Sequence, residues 1–253
     1  MWHGDYKFVL SNLISKDFRI RYRNMSLGVF WSILNPLVMM GVLTFVFTKI
    51  MASQIPHFAV FLFCGLVPFN FFSVGWLSGT TSLVDNAGLI KRVPVPREVI
   101  PISAVLSNCV HLGIQMALLF AIVFLARIPA NRHWMWLPLL LLLEIVFVCG
   151  LALLFSGLNV YIRDTRYVVE SASVVLWWLV PIIYPFEMIP QQFKDIYQYN
   201  PVAALVLATR GIILDAQAPS HLLLGKFAGV SFATLAIGWW AFGRMERRFY
   251  TYL

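Results

Sequence analysis

Residues 134–158 read WMWLPLLLLLEIVFVCGLALLFSGL, twenty-five positions with one charge, Glu144, near the middle. A helix crosses the hydrocarbon of a bilayer with about 20 consecutive apolar residues, so this run reads as a membrane span. Moving outward from it, 100–126, 58–80 and 27–48 on one side and 168–186 and 222–243 on the other pass the same test of apolar length and flanking charge. The expected fold is an all-α integral membrane protein: six transmembrane helices in one domain, 1–253, with an N-terminal amphipathic interfacial helix and an outer re-entrant segment between the fifth and sixth spans.

Composition agrees. Of 253 residues, 60% are apolar and 12% charged, with a mean hydropathy of +0.79. A soluble domain is roughly 45–50% apolar, and the excess here needs lipid around it. The net charge of +8 does not point to nucleic acid, because a nucleic-acid binder gathers Lys and Arg on one polar face. Here they lie between apolar runs, where anionic headgroups are the natural partners.

Six spans put both termini on one side. With the N-terminus inside, thirteen Lys and Arg fall on the inner side and six on the outer, a bias that places both termini in the cytoplasm. Lys7, Lys16 and Arg19 interrupt any apolar stretch near the start, so the N-terminus does not read as a cleaved signal. Cys64, Cys109 and Cys149 lie inside apolar runs and are odd in number, which implies no disulfide framework.

Residues 5–24, wound at 100° per residue, carry Val9, Leu10, Leu13, Ile14 and Ile20 on one side and Lys16, Arg19 and Arg23 on the other. That pattern suits a helix lying in the membrane interface. Asp17 and Arg21 break the apolar face but are spaced to pair with each other. Near the other end of the chain, 199–214 is apolar yet too short to cross, and Pro181, Pro185, Pro190 and Pro201 surround it. Each proline removes a backbone donor, so 187–215 is expected to be a re-entrant region of broken helices on the outer side.

The long polar break on the inner side, 81–101 (TSLVDNAGLIKRVPVPREVIP), mixes a short helical stretch with a Pro-x-Pro stop. It could seat on a cytoplasmic partner through residues 81–99, or its Lys91, Arg92 and Arg97 could simply fix topology by the positive-inside rule. A second inner loop, Asn159-Val160-Tyr161-Ile162-Arg163-Asp164, offers an Arg/Asp pair that is either a further contact or a solvated loop pair.

In the second span Phe58, Phe61, Phe69, Phe72 and Trp76 share one helical face. Such a stripe could offer sugar rings a weakly binding path, or pack against other helices. Glu144, inside the fourth span, is a functional candidate by its cost there; its alternative is a structural carboxyl between helices. His111 has no companion at ligand spacing and reads as structural, and metal chemistry has no support. No G-x-x-x-x-G-K-[ST] occurs, so the chain cannot cradle ATP phosphates itself. Nor is there a G-x-S-x-G elbow or a pair of aqueous carboxylates to suggest an enzyme.

Four stretches together carry a family resemblance. Arg21-Tyr22-Arg23 followed by SLGVFWSILNPL at 26–37, NAGLIKRVPVPREVIP at 86–101, Asn159–Asp164, and the Pro181–Pro185, Ile189-Pro190 and Asn200-Pro201 series come in order. In this order the chain resembles the membrane subunit of ABC-type polysaccharide exporters, which move O-antigen, capsule or teichoic acid chains.

The resemblance implies a permease, not an enzyme, in a bacterial inner or plasma membrane. It implies a homodimer bound to two copies of a cytoplasmic ATPase that holds the ATP and Mg, with a polymer on a polyprenyl diphosphate as substrate and no cofactor in this chain. Asn86, Leu89, Lys91, Arg92, Pro94, Pro96 and Arg97, with Arg163 and Asp164, would receive the ATPase stroke. Arg19, Arg21 and Arg23 would meet the lipid diphosphate, for which arginine suits bidentate contact. Two rival readings stay open at this point: a permease for a small or lipidic substrate, and a membrane enzyme on a polyprenyl lipid with Glu144 as acid or base.

Overall fold

No charge interrupts the sequence from Phe58 to Val84, and in the computed structural model this run is a single 28-residue helix, α3 (Phe58–Asp85). The structure describes residues 6–22, 30–92, 95–246 and 249. Before α3 come α1 (Tyr6–Tyr22) and α2 (Trp31–Phe45), the latter continued by a π-helical turn over Val46–Ile50. After it come α4 (Ala87–Arg92), α5 (Val99–Leu125), α6 (Leu137–Tyr161), α7 (Thr165–Leu179), α8 (Gln191–Tyr199), α9 (Pro201–Ile213) and α10 (His221–Met245).

The central helix is α3, flanked by α5, α6, α7 and α9, and α6 carries α10 on its far side. Small residues set these distances, as is usual where lipid removes the hydrophobic drive between helices. A Cβ placed on Gly79 of α3 would stand 2.4 Å from the Cβ of Ala152 on α6. One placed on Gly238 of α10 would stand 2.2 Å from the Gly150 carbonyl oxygen on α6. The two backbones touch there. A large apolar core built on α3 fills the bundle, and a smaller one lies at the end where α1 and α4 pack.

Five helices among the described residues are long and apolar enough to cross a membrane: Ile33–Ile50, Phe58–Asp85, Val99–Leu125, Arg132–Tyr161 and His221–Met245. The span expected over 168–186 is shorter than predicted, since α7 stops at Leu179 after 15 residues. At 1.5 Å per residue that is about 22 Å against a hydrocarbon core of about 30 Å. Pro181 and Pro185 follow at once; neither can donate to a preceding turn. The expected end of the second span also moves, from 80 to Asp85, so the first residues of the 81–101 segment belong to α3.

The short apolar stretch at 199–214 becomes α9. Pro201 occupies its first turn, and the Asn200 side chain accepts from the backbone N–H of Val202 at 3.0 Å and of Ala203 at 3.4 Å, an N-terminus built as such termini usually are. Most of α9 is buried against the bundle.

Candidate functional site

At the end of α3 the chain turns at Asn86. Its side-chain amide donates to the Ser82 carbonyl at 2.8 Å, while its Oδ1 accepts from Lys16 Nζ on α1. This ties the predicted amphipathic helix to the predicted coupling segment. The apolar face of α1 accordingly meets protein: Leu13 is buried in the smaller core with Leu83, Ile90, Val99 and Ile100, and Val9 and Leu10 pack beside it. Lys16 and Arg19 stay exposed. The Arg21 side chain and the whole of Arg23 lie outside the described residues, as does Pro94.

The remaining residues of the segment divide by face. Leu89 turns toward the small core, whereas Lys91 and Arg92 point away from it, exposed. Pro96 and Arg97 are half-buried. Arg97 donates to the Glu246 carbonyl oxygen at 2.7 Å, and its guanidinium stands 6.0 Å from the Phe249 ring centroid. Burial, with Glu98 nearby, pushes the Glu246 carboxyl above the ordinary value; Arg97 opposes that shift. The 159–164 loop reaches the same place, because the Tyr161 hydroxyl donates to the Met245 carbonyl at 2.7 Å. Arg163 and Asp164 follow it, exposed.

Segments far apart in sequence thus meet around the end of α10. What they form is a packed apolar base with exposed charges on it. Sequence reasoning named the short helical stretch of 81–101, Arg97 and the 159–164 loop that contains Tyr161, but missed Glu246 and Phe249, whose meeting with them no local pattern announces.

The aromatic face of α3 turns inward. Phe58, Phe61, Phe69, Phe72 and Trp76 are all buried within this one chain. Phe58 stacks on Phe47 with centroids 5.4 Å apart, Phe69 meets Trp177 edge-on at 5.2 Å, Phe72 stacks on Phe147 at 6.0 Å, and Trp76 meets Phe155 at 5.1 Å. The rings hold α3 against α2, α6 and α7, which is the packing alternative.

Glu144 is fully buried, and neither carboxyl oxygen has a hydrogen-bond partner among the described residues. His111 lies one helical turn from Gln115, its Nε2 2.7 Å from the Gln115 amide nitrogen, a side-chain pair within α5. No group of three His, Cys, Asp or Glu that could hold a metal occurs among the described residues.

One buried cation escaped sequence reasoning. Arg210 of α9 donates to the carbonyl oxygen of Phe61 at 3.1 Å and to those of Pro181 and Ile182, where α7 has ended. Its guanidinium also lies 3.5 Å from the Phe61 ring centroid, in cation–π range. Gly65 makes the room, since a Cβ there would stand 3.2 Å from the guanidinium. The carbonyls freed by the proline break are satisfied by a side chain, as buried backbone requires.

Residues 9–214 match the family described as ABC-2 type transporter. The chain is 30% identical to the O-antigen export system permease protein RfbA of Klebsiella pneumoniae over 239 residues, 94% of this chain and 92% of the relative. A permease of the same description from Myxococcus xanthus is 27% identical over 91% of this chain and 89% of its own length. The polysialic acid transport protein KpsM of Escherichia coli is 26% identical over 92% and 91%.

Proposed function

This chain belongs to the ABC-2 type transporter family, and from that premise we propose that it is the membrane permease of an ATP-driven exporter of an O-antigen-like polysaccharide. The carrying observation is the near-full-length similarity to an O-antigen export permease. A conduit of this kind binds no nucleotide itself. ATP and Mg belong to a separate cytoplasmic ATPase, two copies of which serve a homodimer of this chain, and the polymer travels on a polyprenyl diphosphate.

In this reading the protein sits in a bacterial inner membrane with both termini in the cytoplasm. The end of the bundle that carries α1, α4 and the last turn of α10 is the inner one. Residues 86–97, with Arg163 and Asp164, receive the ATPase, and the packed core beneath them passes a rigid-body push to α3, α5 and α10. ATP can bias the channel only if its two states contact the nucleotide-bound partner differently, and the exposed Lys91 and Arg92 on that core supply such a contact. Arg19, Arg21 and Arg23 take the diphosphate at the inner leaflet. The sixth crossing is α7 continued by the chain beyond Leu179, and 187–215 forms the outer re-entrant region.

The experiment is genetic. Deleting the gene in its host removes long-chain polysaccharide from the cell surface while lipid-linked polymer accumulates inside, and a plasmid copy restores export. Unchanged surface polysaccharide in the deletion strain overturns the proposal.

A further inference from the structure

At the end of the bundle opposite α1, a cavity of about 850 Å³ opens between the π-helical turn, the start of α3, the 183–188 segment and the end of α9. Its size falls within the range of small-ligand sites, about 300–1,000 Å³. One wall is aromatic: the stacked series Phe47, Phe58 and Phe61, with centroids 5.4 and 6.0 Å apart, backs it, and Tyr184 and Phe186 face it from the other side. Among the described residues its lining carries the charged groups Arg210, Glu187 and Asp215, and Lys194 Nζ stands 5.7 Å from the Phe186 ring centroid.

Their roles differ. Arg210 directs donors to the carbonyls of Phe61, Pro181 and Ile182 and lies against the Phe61 ring, so its hydrogen-bonding capacity is largely engaged by the fold. Glu187 and Asp215 are exposed at the cavity, and partial burial together with the nearby Glu187 charge pushes the Asp215 carboxyl above its ordinary value, against the pull of Arg210. Each carboxylate accepts only, and pairs of adjacent hydroxyls are suitable donors to its two oxygens. Aromatic faces beside acceptor carboxylates are the chemistry of a sugar site. Two carboxylates facing a ligand disfavour one that carries its own negative charge.

We propose that this cavity is a glycan-binding vestibule selective for neutral or amine-bearing sugars over acidic ones. It deepens the polysaccharide-export reading and rests on it for the identity of the polymer, but it concerns a surface that the coupling core does not use. A strand leaving the conduit at that end would rest a short segment on the Tyr184 and Phe186 side while its hydroxyls donate to Glu187 and Asp215.

The test is direct binding to the permease–ATPase complex in nanodiscs, read by saturation-transfer NMR. The probes are oligosaccharides cut from the host's own surface polysaccharide and freed of lipid, with oligosialic acid as the acidic comparison. The expected result is transfer to the host oligosaccharide and none to oligosialic acid. Combining Glu187→Gln with Asp215→Asn weakens host-oligosaccharide binding by about tenfold or more, the loss expected for charge-assisted hydrogen bonds, and admits oligosialic acid. A second variant, Leu207→Trp, fills the cavity from α9 without touching either carboxylate and also abolishes transfer.

Absence of transfer from any probe, equal binding of oligosialic acid by the unaltered protein, or binding indifferent to both variants overturns the vestibule. None of these touches the export reading, which the deletion strain decides separately.

Discussion

The Nε of Arg210 donates to the carbonyl oxygen of Phe61 at 3.1 Å, across 149 positions of sequence. This contact joins the start of the central helix to a short helix too brief to cross the membrane. The same guanidinium closes the carbonyls of Pro181 and Ile182, so one side chain fastens α3, α9 and the broken end of α7.

Arg210→Ala should therefore destabilise the protein by about 3 kcal/mol or more, because it leaves several buried carbonyls without a donor. Arg210→Lys should recover only part of that, since a single ammonium cannot reproduce the planar fork. Cys64, fully buried and near Arg210, supplies the readout: its labelling by a maleimide on heating should begin at a lower temperature in Arg210→Ala than in the unaltered protein.

The contact of α6 with α10 makes a steric prediction. Gly150→Ala and Gly238→Ala insert a methyl group where backbone atoms of the opposite helix already lie within 2.5 and 2.2 Å, and overpacking of this kind costs about 1–3 kcal/mol. Gly229→Ala, on the same α10 but with nothing within 4 Å of the added carbon, should leave thermal stability in detergent unchanged or slightly raised.

Charge reversal separates the two basic residues of the coupling segment. Arg92 is exposed and Arg97 is anchored on the Glu246 carbonyl. Arg92→Glu should leave the fold intact and lower ATP-driven export by weakening attachment of the ATPase, seen as reduced co-purification. Arg97→Glu should lower both export and thermal stability, because it places a third carboxylate beside Glu98 and Glu246. Export unaffected by either change counts against this contact surface.

Glu246 gives the pH dependence. Its folded-state pKa is raised by burial and by Glu98, with Arg97 in opposition, so the fold prefers the protonated form. The associated stabilisation is fully present below the ordinary carboxylate pKa and is lost as pH rises through the raised one. Glu246→Gln should flatten that part of the stability profile and raise stability at neutral pH. A melting profile between pH 4 and 7 that is the same in the two proteins would contradict this assignment.

The apolar runs made the five long helices legible, because span length is fixed by the bilayer and needs no tertiary information. The short elements were legible through their punctuation: Asn200-Pro201 opens α9, and the prolines after Leu179 end α7 early. What the sequence could not disclose was which face of a helix turns inward. Phe58, Phe69, Phe72 and Trp76 do share a face, but nothing local says that Phe47, Trp177, Phe147 and Phe155 cover it.

Arg210 was hidden for a related reason. In the count of flanking charges it is one more outer-side cation, and only the fold shows that it is enclosed by three carbonyls and an aromatic ring. A lone Arg inside an otherwise apolar stretch, close to a run of prolines, was the available signal.

The central claim is that this chain is a passive conduit driven by a separate ATPase, and reconstitution tests it most directly. The permease is placed in proteoliposomes loaded with lipid-linked polysaccharide, with and without its ATPase, and polymer reaching the opposite face is measured on adding ATP and Mg. The account predicts transfer only when both proteins and ATP are present. Transfer by the permease alone at a comparable rate, or no transfer by an assembled complex that hydrolyses ATP, would contradict it.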